Sequence, residues 1–302
     1  MFLRQLEYLT ALAREEHFGR AAAACWVSQP TLSDGIRKLE AEFGVAVVRR
    51  GHRFEGFTPE GERLLAWARR VLTDRTTMLA EFTRGERLTG RLRIGAVPAA
   101  LPPVALLTGP FCAAHPRAAL TVLSLTSAEI QRRLTDGHLD AGLTYLTSAV
   151  RAGFRTHALY DERYLLLTAE DHPLAARAEV GWAEAAALPL CLLTTDMQYR
   201  RIVDGLFRRA GAVVSPRMET NSLSTLCAHV RAGLLSSVIP QAWLCLMGVP
   251  PGTRVVPMTG PVATSRVGLL MPDRRTPSLA VAALLEVASG LKIQQEIDQL
   301  YR

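Results

Sequence analysis

The signal that most constrains this fold is a strong helix start at Ser28, followed by apolar residues at helical spacing. The Ser28 hydroxyl can cap the helix, and Pro30 fits its first turn, where the missing N–H costs little. The apolar face consists of Leu32, Ile36 and Leu39. This spacing predicts a helix over residues 29–42 whose opposite face is polar and exposed.

Two further helices are predicted before it. Residues 3–15 carry leucines at helical spacing, and residues 20–25 are a short alanine-rich stretch that lets another helix approach closely. Residues 16–19 form the tight connection, with Gly19 at the start of the second helix. Two short helices joined by a tight turn, the second beginning with polar residues, suit insertion into the major groove of DNA.

The candidate DNA contacts lie on the polar face of the third helix and in a basic wing after it. Gln can read adenine edges, Arg can bind guanine or phosphate, and a basic loop can lie on the phosphate backbone. The candidates are Ser28, Gln29, Pro30, Thr31, Ser33, Asp34, Arg37, Arg49, Arg50 and Arg53. A short strand over residues 45–48 is expected to lead into the wing. On these features alone, a small helical domain with a solvated charged loop is the alternative.

Net charge supports binding to DNA only weakly. The whole chain carries a formal charge of +7, but its first 89 residues hold 14 basic and 12 acidic side chains. The local placement of charge must therefore account for DNA binding, because the bulk charge of this segment does not.

An ordered set of motifs resembles the DNA-binding signature of the LysR-type regulators. The motifs SQP, Leu-Ser, Ile-Arg-x-Leu-Glu, Arg-x-x-Arg and Thr-x-x-Gly occupy residues 28–30, 32–33, 36–40, 50–53 and 58–61. The resemblance implies an all-α winged helix-turn-helix over residues 1–58 that binds a double-stranded DNA operator. It departs from the family at Gly19, where Ser or Thr is usual, and at Asp34 and Gly35, so the operator preference of relatives should not be copied.

A long linker helix is predicted over residues 59–89. Thr58, Pro59 and Glu60 make a helix start with a cap, a first-turn proline and a first-turn acid. An apolar stripe continues from there to about Arg87. The resemblance implies that this helix pairs with its twin, giving a homo-oligomer that is a tetramer built as a dimer of dimers. Packing of the stripe against the chain's own C-terminal domain is the alternative.

From residue 90 onward, short strands alternate with helices. This alternation indicates an α/β sheet with helices on both faces. A chain that begins one lobe, builds a second and returns predicts lobe I over residues 90–163 and 267–302 and lobe II over residues 164–266. The resemblance implies a two-lobed effector domain similar to the periplasmic binding proteins, with a cleft between the lobes.

The candidate effector site lies at the carboxyl ends of the predicted strands, against the N-termini of the following helices. Free N–H groups and the helix dipole suit a small anion there. The candidates are Pro98, Ala99, Ala100, Thr126, Ser127, Thr194, Thr195, Gln198, Asn221 and Ser222. Because Ala99 and Ala100 offer only backbone donors, a small ligand is expected. For each Ser or Thr, a helix cap without a ligand is an equal alternative.

The stretch FLRQLEYLTALAREEHFGRAAAAC is also similar to regulators that accompany formate dehydrogenase genes. This resemblance implies formate or a similarly small acid as the effector. RNA polymerase is the further expected partner. Neither a membrane-spanning helix nor a secretion signal is expected, so the predicted location is the cytoplasm.

No catalytic motif is recognisable, so neither enzyme activity nor a cofactor nor a metal is expected. The five cysteines are scattered, and we expect them to be packing residues. A redox regulator that uses Cys191 or Cys227 is one alternative. Another is a small-molecule-binding protein whose N-terminal helices serve only oligomerisation.

Overall fold

A computed structural model describes residues 3–49, 54–82, 88, 90–147, 150, 152–260, 265–274 and 276–300. Two of the candidate DNA contacts, Arg50 and Arg53, lie outside these residues. So does the predicted end of the linker helix.

Four helices build the N-terminal part, as predicted. They are α1 (Leu3–Glu15), α2 (Phe18–Ala24), α3 (Gln29–Phe43) and α4 (Pro59–Phe82). Their apolar faces meet in a core that includes Leu9, Leu12, Leu32, Ile36 and Leu39. This arrangement leaves the polar face of α3 outside.

The wing between α3 and α4 is less regular than expected. The strand predicted over residues 45–48 is reduced, within the described part of the wing, to one antiparallel bridge between Val48 and Phe57. The Glu40 carboxylate holds the chain in place by accepting hydrogen bonds from the N–H groups of Val47 (2.9 Å) and Val48 (3.3 Å). A side chain of α3 therefore replaces part of the strand pairing.

The expected start of α2 at Gly19 is wrong. The N-cap is His17, whose Nδ1 accepts hydrogen bonds from the N–H groups of Gly19 (3.0 Å) and Arg20 (3.3 Å). Because the imidazole supplies the acceptor, the helix begins at Phe18 and Gly19 lies inside its first turn.

The C-terminal part begins with the first portion of lobe I. Its elements are β1 (Gly90–Ala96), α5 (Val104–Ala114), β2 (Ala118–Ser124), α6 (Ser127–Thr135), β3 (Ala141–Tyr145) and β4 (Phe154–Glu162). β1 pairs in parallel with both β2 and β3. Parallel strands joined by helices place the ends of β1, β2 and β3 at one edge of the sheet.

Lobe II follows after a short crossover at Arg163. Its elements are β5 (Tyr164–Ala169), β6 (Val180–Gly181), α7 (Trp182–Ala186), β7 (Cys191–Leu193), α8 (Gln198–Arg209), β8 (Met218–Thr220), α9 (Leu223–Arg231), β9 (Ser237–Pro240), α10 (Leu244–Met247) and β10 (Thr253–Thr259). One sheet has the strand order β6-β10-β5-β9, and β7 pairs in parallel with β8.

The chain then returns to lobe I, as the sequence predicted. β11 (Ser265–Pro272) lies between β3 and β4 and is antiparallel to both. Two helices follow β11 in lobe I, α11 (Leu279–Gly290) and α12 (Ile293–Gln299). The result is an N-terminal helix-turn-helix followed by a two-lobed α/β domain. In the described part of the chain, no helix has the length and apolar character needed to cross a membrane.

Candidate DNA-binding surface and effector cleft

The outer face of α3 presents most of the predicted DNA contacts to solvent. The exposed candidates are Ser28, Gln29, Pro30, Thr31, Asp34 and Arg37, while Ser33 is half-buried. In the wing, Arg49 is exposed and its N–H donates to the Gly56 carbonyl (3.0 Å). On the opposite side of α3, Leu32, Ile36 and Leu39 are buried, so the polar side is the one left exposed.

The start of α3 is capped by Ser28, as predicted. Its Oγ accepts a hydrogen bond from the Thr31 N–H (3.3 Å) and lies 2.8 Å from the Thr31 hydroxyl. The remaining N–H groups of the first turn, together with the helix dipole, make this end attractive to phosphate.

Sequence reasoning missed Lys38 on the same face. Its ammonium lies 2.9 Å from the Asp34 carboxylate, and both side chains are exposed. The i, i+4 spacing of Asp34 and Lys38 in the predicted helix could have indicated this ion pair. The pair reduces the repulsion that Asp34 alone would exert on phosphate.

The lobes meet at a narrow inner cavity of about 10 Å³, which is room for about one water molecule. Of the effector candidates, Pro98, Ala99, Thr126, Ser127 and Gln198 line it. Among its described lining residues none is charged. The cleft therefore brings together side chains from the end of β1, the start of α6 and the start of α8.

Gln198 of lobe II bridges to lobe I across this cavity. Its Oε1 accepts a hydrogen bond from the Ser127 hydroxyl and lies 3.5 Å from the Thr144 hydroxyl. Its Nε2 donates to Thr147 Oγ1 at 3.2 Å. Ser127 and Thr144 also contact each other at 2.5 Å. Thr144 and Thr147, at and beyond the end of β3, were missed by sequence reasoning.

A wider outer cavity of about 530 Å³ opens next to the inner one. The two cavities share Ser127, Tyr145 and Gln198. The Tyr145 hydroxyl is buried and has no hydrogen-bond partner among the described residues, and burial together with the nearby Glu162 raises its pKa. The hydroxyl is thus a buried polar group that the described contacts leave unsatisfied.

Two effector candidates serve as helix caps. The Thr126 hydroxyl donates to the Glu129 carboxylate (2.9 Å), and hydrogen bonds from Thr126 hold the pKa of Glu129 below its usual range. The Ser222 hydroxyl accepts from the Thr225 N–H (3.3 Å) and caps α9. For these two residues the structure supports the cap alternative.

The other effector candidates do not line the inner cavity among the described residues. Ala100 is buried in the turn after β1, and Thr195 and Asn221 are exposed. Thr194 is half-buried, with a hydroxyl that has no described hydrogen-bond partner.

Glu162 is fully buried at the crossover between the lobes. It is the last residue of β4, and its Oε1 lies 3.4 Å from the Ala242 N–H, which donates to it. Burial raises the pKa of this carboxyl to about 8. At neutral pH the group is therefore mostly protonated, and no negative charge is forced into the core.

Cys191 and Cys227, the two candidates for a redox regulator, lack the features of reactive thiols. Cys191 and Cys227 are buried, and burial raises the pKa of both. No cysteine is among the described residues lining either cavity. Because the thiolate is the reactive form, these surroundings disfavour oxidation.

α6 connects the cleft to the linker helix. Ser127 begins α6 at the cleft, and the Thr135 carbonyl at its other end accepts a hydrogen bond from Arg70 of α4. Next to this contact, burial and the neighbouring Arg69 lower the pKa of His138 to about 4. The imidazole is thus neutral in a cluster that already holds several arginines.

Two comparisons with known families cover most of the chain. Residues 3–62 match "Bacterial regulatory helix-turn-helix protein, lysR family", and residues 85–290 match "LysR substrate binding domain". The chain belongs to the LysR family. The resemblance carried by the motifs in residues 28–61 is therefore confirmed at the level of the family.

Curated relatives and solved structures agree with this LysR assignment. The DNA-binding transcriptional dual regulator OxyR of Escherichia coli K12 is 34% identical over 286 residues, covering 89% of each chain. The hydrogen peroxide-inducible genes activator of Haemophilus influenzae is 31% identical, covering 89% of this chain and 90% of that protein. A full-length OxyR variant from Pseudomonas aeruginosa superposes with a TM-score of 0.83 at 29% identity, covering 98% of this chain and 97% of that one. CbnR in complex with its target DNA, at 22% identity and a TM-score of 0.67, covering 96% and 99%, shares the fold.

Proposed function

We propose that this LysR-family transcription regulator binds its operator through α3 and the wing, and that a small molecule in the interlobe cleft controls this binding. The observation that carries the proposal is the hydrogen bond from Ser127 to Gln198, which joins the two lobes at the N-terminus of α6. Opening or closing the lobes, as in periplasmic binding proteins, must break or form this bridge.

The linker helix would receive the signal through α6. A ligand that moves Ser127 also moves the other end of α6, where Arg70 of α4 holds the Thr135 carbonyl. Ligand binding would thus shift a pre-existing equilibrium between arrangements of the paired helix-turn-helix domains in the homo-oligomer.

A small ligand is favoured by the confined inner site, which has a volume of about 10 Å³ while the Gln198 side chain occupies it. The N-termini of α6 and α8 both face the cleft, and helix N-termini attract anions. These features support the prediction of a small organic acid. Formate itself remains a prediction, supported by size and charge alone.

Several relatives are named for hydrogen peroxide, but the two candidate redox thiols of this chain do not favour the same signal. Cys191 and Cys227, the candidates for a redox pair, are buried with raised pKa values. Peroxide sensors need accessible, low-pKa thiols. We therefore propose that ligand binding, rather than thiol oxidation, controls this regulator.

Two surfaces support a homo-oligomer that is a dimer of dimers. On α4, Trp67 and Met78 are more than half exposed, which suits pairing with a second linker helix. In lobe I, β2 is an edge strand of the sheet and carries partly exposed apolar side chains. RNA polymerase is proposed as a further partner at the promoter.

Thermal unfolding of the full-length protein against a panel of small organic acids, formate included, tests the sensor. A ligand at 100 times its dissociation constant should stabilise the fold by about 2.7 kcal/mol. Ser127→Ala should weaken the response. Ser222→Ala, which removes a similar hydroxyl from a cap on α9, should keep it. If none of the acids raises the melting temperature of the protein, the small-acid proposal is contradicted.

A further inference from the structure

We propose that the Gln198 side chain is a built-in occupant of the effector cleft, and that the effector displaces it with a carboxamide or carboxylate head group. This inference rests on the proposed function and names the chemistry of the ligand at the same site.

Gln198 already makes the contacts that a bound ligand would make. Its carbonyl oxygen lies between the hydroxyls of Ser127 and Thr144, and its NH₂ group reaches the Thr147 hydroxyl. All three hydroxyls belong to lobe I, whereas Gln198 starts α8 in lobe II. The closed cleft is thus held together by a planar amide that comes from the protein itself.

The remaining space is too small for an additional ligand. The inner cavity, at about 10 Å³, holds about one water molecule. An organic acid or amide can therefore occupy the inner site only if the Gln198 side chain leaves it. The outer cavity, which Gln198 also lines, offers room for the displaced side chain.

The hydroxyls select the head group of the incoming molecule. It must bring an acceptor oxygen to Ser127 and Thr144 and place a second polar atom near Thr147. A planar carboxamide or carboxylate meets both needs, and the uncharged lining tolerates either. A planar cation of the same shape has no acceptor for the two hydroxyls.

Tyr145 supplies a reason for the exchange to be favourable. Its side chain is buried and lines both cavities, and its hydroxyl has no hydrogen-bond partner among the described residues while Gln198 is in place. A free ligand can reach this hydroxyl only if the Tyr145 ring turns when the Gln198 side chain leaves. Satisfying a buried polar group is the extra contact that lets the ligand compete.

Removal of the tethered amide tests this exchange by chemical complementation. In Gln198→Ala the lost fragment corresponds to acetamide, so acetamide and acetate are the probes, with acetamidinium as the isosteric cation. Calorimetry and melting temperature should show at least tenfold tighter binding of acetamide or acetate to Gln198→Ala than to the wild type. Acetamidinium should bind neither protein. The stronger of the two probes identifies the charge of the head group.

Further variants make the result specific. Gln198→Leu refills the space without an amide and should exclude both probes. Gln198→Ser also removes the amide and replaces Gln198→Ala in the experiment if the alanine variant folds poorly. Tyr145→Phe, combined with Gln198→Ala, should weaken probe binding roughly three- to tenfold. Gln294→Ala is the matched control, because it removes an amide that accepts from the Asp161 N–H (2.7 Å) outside the cleft.

Equal affinity of both probes for the wild type and the opened variants would overturn the inference. So would binding to Gln198→Leu as strong as to Gln198→Ala. If the wild type nevertheless binds its operator and is stabilised by another small acid, the proposed function stands and only the role of Gln198 fails.

Discussion

The ring of Tyr8 lies directly over Gly35, so that helices α1 and α3 are in close contact at this point. A Cβ atom on Gly35 would lie 2.6 Å from Tyr8 Cδ2 and 3.0 Å from Cε2. Glycine inside a helix costs about 1 kcal/mol relative to alanine. Here the close approach of the Tyr8 ring explains why glycine occupies position 35 in spite of this cost.

Gly35→Ala should therefore destabilise the protein despite the better helix propensity of alanine. We expect a loss of about 1–3 kcal/mol in the free energy of unfolding, because the added methyl group forces the ring or the helix to move. Urea denaturation measures the loss. In a Tyr8→Leu background the same substitution should cost much less. Equal costs in the two backgrounds would show that the ring is not the cause.

Trp26 should be replaceable with a gain in stability. It has a positive φ of 56°, which is unfavourable for a bulky side chain, and it is 92% exposed. Trp26→Asn should stabilise the fold by about 1 kcal/mol, because Asn tolerates this conformation. Trp26→Ala keeps the backbone strain and serves as the control in the same thermal unfolding experiment. An equal gain in both variants would assign the effect to the exposed ring instead.

Glu162 should make stability fall as the pH rises from about 4 to about 8. Its pKa of about 8 in the folded protein exceeds that of the unfolded chain, so the folded state binds the extra proton. The resulting stabilisation is complete below about pH 4 and is lost progressively as the pH rises from there through 8, on the order of 5 kcal/mol in all. Denaturant titrations from pH 5 to 9 measure this slope. Glu162→Gln should flatten it, and an unchanged slope in that variant would rule the carboxyl out.

Asp34→Asn should strengthen binding to any DNA duplex. The substitution removes a negative charge from the outer face of α3 and releases Lys38 from its 2.9 Å ion pair. Fluorescence anisotropy across a salt series should show tighter binding. The slope of log K against log[salt] should also be steeper, by about one released counterion. Glu170→Gln, in lobe II, changes the net charge equally and should leave both values as they are. If the two variants behave alike, only bulk charge matters.

Arg70→Ala should uncouple the cleft from the DNA-binding part. It removes the hydrogen bond from α4 to the Thr135 carbonyl at the end of α6. If Gln198→Ala alters the DNase footprint of the otherwise unchanged protein, adding Arg70→Ala should abolish that alteration without preventing DNA binding. A footprint that still responds in the double variant would place the coupling elsewhere.

The helix-turn-helix could be predicted because its signals are local. Ser28, Pro30 and the apolar spacing of α3 act within a few residues of one another, and the structure places them as expected. The cap of α2 was missed because an imidazole acceptor, His17, replaces the usual hydroxyl or carboxylate.

The cleft could be predicted only in outline. Ser127 and Gln198 were named from helix starts, but their contact depends on how two lobes meet after a crossover. Thr144 and Tyr145 reach the site because β3 lies between β1 and β11 in the sheet. That order is set by long-range packing, which no local pattern reveals.

Selection of binding sites from a random pool of DNA duplexes by the full-length protein tests the central claim most directly. We expect enrichment of a palindromic site, with half-sites one or more helical turns of about 10 base pairs apart. Arg37→Ala should lose this enrichment while remaining folded. Recovery of no preferred sequence by the folded wild type would contradict the assignment of α3 as a recognition helix.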